Sequence, residues 1–216
     1  MTKHYWDEYL NVLLDHNEIN RILKFHQSNV PVIDQNQLIK SDINKLDWIE
    51  LNKDIVISSD IVLKKYSIAE LCSSLKSIYK LMKKQFEEAK IPLILPVFTV
   101  LPKFPGVESG CYTFNFQEES LIKYKELPNS ESISLLKNKN IDICLSFFLN
   151  LERSTFLYEG LGYLKGILQI GEFSGTLITK LNLESKDIFI QPQTFTHDLG
   201  INLRKQILIK NECLIL

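Results

Sequence analysis

Few residues of this 216-residue sequence stand in a pattern that chemistry can use. Tyr158 and Glu159 are titratable neighbours beside a glycine-rich stretch, where a phenol and a carboxylate can move a proton if both face a cleft. The other reading of Tyr158 is a core aromatic whose hydroxyl finds a hydrogen-bond partner. His197 and Asp198 form a second acid and base pair; such a pair more often opens a helix, where the aspartate meets the positive end of the helix dipole. His16 and His26 lie ten residues apart without carboxylates at helical spacing, so they make poor metal ligands. The four cysteines, Cys72, Cys111, Cys144 and Cys213, lack the paired spacing of a zinc site, and three sit in apolar runs, which reads as buried free thiols. No glycine-rich phosphate loop follows a strand, and no nucleophile elbow surrounds a serine.

The element that must position Tyr158 is the segment Arg153 to Leu183, the longest helical apolar period in the chain without proline. Phe156, Leu157, Leu161, Leu164, Ile167, Leu168, Ile170, Leu177 and Leu181 recur mostly three or four apart. Gly160, Gly162, Gly166, Gly171 and Gly175 interrupt it, each costing roughly 1 kcal/mol against alanine in a helix. Two readings follow. Either the glycines let another backbone or a flat ring approach closely, or the first two mark a frayed first turn.

Around this helix the sequence predicts mixed strands and helices without regular βαβ alternation, an α+β class. Trp6 to His26 reads as two short helices, and Gln27 to Asn52 as an extended arm pinned by Trp48 and Ile49. Ser67-Ile68-Ala69-Glu70 fits a capping box that starts a helix with Ile68, Leu71, Cys72, Leu75, Ile78, Tyr79, Met82 and Phe86 on its apolar side. Ile91 to Leu101 is rich in β-formers, and its two prolines predict a strand with an irregular or edge beginning. Cys111 to Phe116 alternates as a half-buried strand, with Leu121 to Lys125 as its hairpin partner. Ser130 to Asn138 is a short amphipathic helix, and Ile141 to Leu149 is the most hydrophobic strand candidate and is expected centrally. A strand at Asp187 to Gln191, a short helix near His197 to Arg204 capped by Thr194 or Thr196, and a strand from Gln206 to Leu216 complete the chain.

Composition narrows the function classes. With 45% apolar residues the chain can bury one substantial core. Its 25 basic and 26 acidic residues leave no electrostatic footprint for nucleic acid or an anionic membrane. Charges in MTKHYWDEYL break any signal-peptide core, and no stretch has the unbroken apolar length of a membrane span. A cytoplasmic protein with reduced thiols is the expectation.

Several stretches together resemble the SagB-type thiazoline and oxazoline dehydrogenases of the nitroreductase superfamily. These are Ile22 to His26, Ser67-Ile68-Ala69-Glu70-Leu71, PGVESGCYTFNFQEESLIKYKEL and, best, RSTFLYEGLGYLKGILQIGEFSGTL. The resemblance implies an N-terminal part at residues 1–53 and a nitroreductase-like α+β domain at 54–216. That domain would have a central mixed or antiparallel sheet, flanked by helices that include the long glycine-bearing one. It implies FMN-dependent oxidation of azolines to azoles in ribosomally made peptides of the bacteriocin kind. The implied partners are a precursor peptide and cyclodehydratase-type enzymes, in a homodimer or a heterodimer with a catalytic paralogue. At the family's lysine and tyrosine pair this chain has Leu157 and Tyr158, so the catalytic tyrosine carries over and the lysine does not. Gly171 survives from the family's Glu-Ala-Gly-His turn, with Gln169 and Glu172 nearby. No arginine stands where the family holds the flavin phosphate; Lys64 and Lys65 supply the charge there. These departures imply an alternative to the enzyme: a flavin-poor subunit that pairs with an active dehydrogenase or scaffolds the peptide-modifying complex.

Overall fold

The computed structural model describes residues 62–89, 94–150, 154, 161–202 and 206–216. The readings for Trp6 to His26 and for Gln27 to Asn52, together with the division at residue 53, lie outside these residues. Seven strands form one antiparallel sheet in the order β1-β4-β3-β2-β5-β7-β6, where β1 is Lys64–Ser67, β2 Ile94–Val100, β3 Gly110–Asn115, β4 Ser120–Lys125, β5 Ile143–Asn150, β6 Glu184–Lys186 and β7 Gln206–Ile215. Four α-helices are described: α1 Ser73–Ala89, α2 Glu131–Asn138, α3 Leu161–Leu181 and α4 Pro192–Asp198.

Strand alternation sorts the core into two layers. Ile143, Leu145, Phe147 and Leu149 of β5 face one side with Phe98, Tyr112 and Phe114, and α1 and α3 cover them through Leu75, Ile78, Met82, Ile170, Phe173 and Leu177. Cys144 and Phe148 face the other side with Leu95, Val97 and Cys111, under Ile133 and Leu136 of α2 and Phe195 of α4. Edge-to-face rings tie the first layer together, Phe98 with Phe114 at 4.7 Å and Phe147 with Phe173 at 5.4 Å. Such pairs contribute about 0.5–1.5 kcal/mol each beyond their burial.

Local chemistry ends the elements where the chain turns. Asn115 Oδ1 accepts from the backbone N–H of both Gln117 and Glu118, which closes the β3–β4 hairpin. Ser130 caps α2, its hydroxyl accepting from the Ile133 N–H. Asn182, at φ +48°, stops α3 while the Leu183 N–H returns to the Ile178 carbonyl.

Three expectations need correction, and one holds. The capping box at Ser67 is present, but it closes a single 3₁₀ turn, Ile68–Glu70, and α1 begins only at Ser73 because Leu71 is extended. The edge-like beginning expected of β2 is present: β5 pairs with it from Ile94 to Val100 but β3 only at Phe98 to Val100, so Pro96 lies where one side has no strand partner, and its carbonyl accepts from the Thr113 hydroxyl. Residues 187–191 form no strand; the short edge strand is β6, just before them. The late helix runs from Pro192 to Asp198 with Gln191 as its cap, since proline suits the first helical position and the Gln191 side chain accepts from the Thr194 N–H.

Candidate functional site

On α3 the described glycines divide by environment. Gly162 and Gly166 are buried: a Cβ on Gly162 would lie 2.0 Å from the Ser154 carbonyl oxygen, and one on Gly166 would lie 2.5 Å from a Leu149 methyl. Here close approach is real, and the neighbours are this chain's own backbone and core. Gly171 and Gly175 point the other way, and a Cβ on either would meet nothing within 4 Å. They share the outward face with Leu164 and Leu168, which is 64% exposed. Gly171 therefore lies on an open surface of the long helix.

The inward face of α3 is fastened by a buried polar knot. Glu212 of β7, only 7% exposed, accepts from the hydroxyls of Ser174 on α3 and Ser185 on β6 and from the Lys210 ammonium at 2.7 Å. Lys210 also donates to the Ser174 hydroxyl at 2.8 Å. Burial alone would push the Glu212 carboxyl up, but the Lys210 ammonium and the two hydroxyls together hold it below its ordinary value. Ser174 touches a lysine and a carboxylate, the neighbours that activate a nucleophile, yet it is fully buried, so the knot is structural. Sequence reading missed these residues, although Lys210, Glu212 and Leu214 at spacing two in a predicted strand place a charged pair on one face.

A second charged network lies at the other end of the sheet. Lys64 donates to Glu108 at 2.5 Å, and Lys65 to Glu118 at 2.7 Å. Lys123, its side chain only 4% exposed, lies between Glu126 at 2.6 Å and Glu108 at 3.4 Å. Tyr112 donates its hydroxyl to the Glu108 carbonyl, and the Tyr66 hydroxyl accepts from the Glu108 N–H. The paired ammoniums of Lys64 and then Lys123 draw the Glu108 carboxyl below its usual value. For Lys123, burial opposes the charge, but the two carboxylates win and raise its pKa. Glu108 lies in the loop between β2 and β3, and no spacing in the sequence ties it to Lys64 or Lys123.

These two regions do not meet within the chain. The sheet order puts β1 four strand spacings from β5, over which α3 lies, a separation of roughly 19 Å. Lys64 and Lys65 are thus not brought together with Gly171. Tyr158 and Glu159, with Leu157, lie outside the described residues, as do His16 and His26. His197 and Asp198 sit at the end of α4 rather than its start, which corrects the helix-start reading; the Asp198 carbonyl accepts from Lys125. All four cysteines are free; Cys144 and Cys213 face each other across β5 and β7 at 3.9 Å between sulfurs, and burial pushes the Cys111 thiol up to about 12. Among the described residues no group of side chains is arranged to hold a metal ion, and no described helix is long and apolar enough to cross a membrane.

No family model matches the sequence, and no curated protein does. Solved structures do match. One is a chain of the E. coli microcin synthetase McbBCD complex with truncated pro-MccB17 bound, at 10% identity and a TM-score of 0.50, covering 99% of this chain and 98% of that one. Another is a protein designated a nitroreductase from Anabaena variabilis, at 15% identity and a TM-score of 0.50, covering 78% of this chain. The chain spans 38% of the length of that second structure. At such identities the likeness is one of fold, and the fold is the nitroreductase-like α+β architecture that the sequence resemblance implied.

Proposed function

We propose that this chain is a nitroreductase-fold subunit of an assembly that matures azole-containing ribosomal peptides, and that it works beside an active dehydrogenase without oxidising azolines itself. Its likeness over nearly its whole length to a chain of a peptide-bound synthetase complex supports the setting. One observation carries the choice of role. Lys64 and Lys65, the residues available for a flavin phosphate, each hold a carboxylate of this chain, and they lie across the sheet from Gly171. A buried phosphate needs several donors, and two lysines already matched to Glu108 and Glu118 offer few. Within one chain these residues do not fit FMN. The subunit would instead hold a precursor peptide, or its cyclodehydratase and dehydrogenase partners, in register for reaction.

Purification and titration test this directly. The protein is expected colourless, to stay so when mixed with FMN, and to raise azoline oxidation only when added to a complex lacking it. A yellow protein that releases FMN on denaturation and oxidises azolines alone would replace this reading with the enzyme.

A second reading keeps the chain as an FMN-dependent azoline dehydrogenase, favoured by the open face over Gly171 and Gly175, where a flat ring has room. FMN would there supply the electron acceptor, and Tyr158 would assist proton removal. On that reading Tyr158→Phe abolishes azoline oxidation while circular dichroism stays unchanged, and retained turnover removes the role of Tyr158.

A further inference from the structure

We propose that Cys144 and Cys213 are a disulfide-competent pair, which a small-molecule disulfide oxidises to an intramolecular bond that clamps β7 to β5. This inference does not rest on the peptide-maturation reading. The two residues stand directly opposite each other in the β5–β7 ladder, in the same core layer, with their sulfurs 3.9 Å apart. The backbone favours a bridge at this position. The Leu101 N–H donates to the Asp142 carbonyl, so the alternation of bonded pairs turns the backbone groups of Cys144 toward Thr99 of β2. The Leu214 carbonyl accepts from the Asp142 N–H, so the backbone groups of Cys213 turn the other way, toward β6. No backbone bond therefore joins Cys144 to Cys213. In such a pair the Cα atoms are about 4.5 Å apart, inside the range of about 4.4–6.8 Å that a disulfide spans, and the sulfurs need only close to about 2 Å. The other cysteines are out of reach. Cys111 and Cys144 flank Thr99 from opposite sides, two strand spacings or roughly 9.5 Å apart, beyond the limit of about 7 Å. Cys72 packs in the layer on the far side of the sheet.

Burial sets the order of events. Cys144 and Cys213 are 0% and 1% exposed, and the contact with Cys213 and burial together hold the Cys144 thiol well above its ordinary pKa, so the closed sheet does not react. β6 is a three-residue edge strand, and opening of that edge uncovers Cys213 on β7 before Cys144 on the interior strand β5. The Cys213 thiolate then attacks one sulfur of the small disulfide, forming a mixed disulfide and releasing one thiolate. The Cys144 thiolate attacks the Cys213 sulfur and releases the second. The two thiol protons end on the released thiolates, so two electrons pass from the protein to the oxidant, which leaves as two thiols. The new bond closes a loop of 69 residue steps that contains α3, β6 and α4. Tethering a loop of that length removes entropy from the unfolded chain and so stabilises the fold.

Incubating the folded, reduced 216-residue chain with excess glutathione disulfide, then alkylating the remaining thiols in denaturant and weighing the product by mass spectrometry, tests the pairing. The expected product carries two alkyl groups where the reduced chain carries four, and its digest contains a peptide that links Cys144 to Cys213. Its melting temperature should rise by about 5–15 °C and fall back on addition of dithiothreitol. Cys213→Ser should keep all three of its remaining thiols open to alkylation and show no such rise, whereas Cys111→Ser should still form the link. Four alkylated thiols in the unsubstituted chain, a glutathione adduct that persists at Cys213, or a link between other cysteines or between chains overturns the proposal. A linked chain whose melting temperature does not rise overturns the clamp. FMN binding or its absence bears on the function alone, so the two readings fail separately.

Discussion

Glu212 shows how a single buried carboxylate can hold a helix to a sheet. Its two hydroxyl partners come from α3 and β6 and its ammonium from its own strand, so three elements meet at one group. Because its folded pKa is depressed, its contribution is complete above the ordinary carboxyl range of about 4.3 and disappears as the pH falls through the lower folded value. Glu212→Gln should cost about 1–3 kcal/mol at pH 7, since Lys210 and the hydroxyls lose a charged acceptor. Urea unfolding at pH 7 and again well below pH 4 is expected to show that deficit shrinking in acid. A deficit that is the same at both values would mean that charge on Glu212 is irrelevant. Lys123 is a contrasting case. Its carboxylate partners are exposed and can return to water, and its stem packs over Gly110. Lys123→Met keeps that packing and should change stability by less than about 1 kcal/mol, whereas Lys123→Ala should cost more by opening a gap. Equal losses in the two variants would assign the stabilisation to charge.

At the scale of the element, α3 carries glycine for two separate reasons, and substitution separates them. Gly162→Ala drives a methyl into the Ser154 carbonyl, a backbone atom that cannot rotate away, and should destabilise the fold by about 1–3 kcal/mol. Gly171→Ala and Gly175→Ala meet open space, so the gain in helix propensity should raise stability by about 0.5–1 kcal/mol each. Thermal melts of dilute protein measure all three changes. The opposite signs are the expectation, and a loss at Gly171 or Gly175 in dilute monomer would mean that the outward face is already covered.

For the whole molecule, the distance across the sheet bears on the proposed function more than any one residue does. A seven-stranded sheet with Lys64 and Lys65 on its first strand and α3 over its fifth and seventh separates the two regions that a flavin would have to join. Only a second chain can bring such regions together, which makes oligomeric state the central property to measure. If FMN nevertheless binds, its affinity should rise with protein concentration along with dimer formation, and fluorescence quenching at two protein concentrations checks this. Flavin affinity independent of protein concentration would locate the site within one chain and defeat the argument from distance.

Much of this architecture was legible from local pattern. The period of two in Cys111 to Phe116 and the polar Gln117 to Ser120 gave the β3–β4 hairpin, and unbroken hydrophobicity at Ile141 to Leu149 gave the buried strand β5. Spacing along α3 likewise announced a long helix, because helical and strand periods are properties of neighbours in the chain. What neighbours cannot encode is pairing between distant strands. The acid knot joining Ser174 to Glu212, the neutralisation of Lys64 by Glu108 and the division of the glycines into inward and outward pairs all depend on strand order. Strand order is set by the packing of both faces at once, and only the tertiary structure decided it.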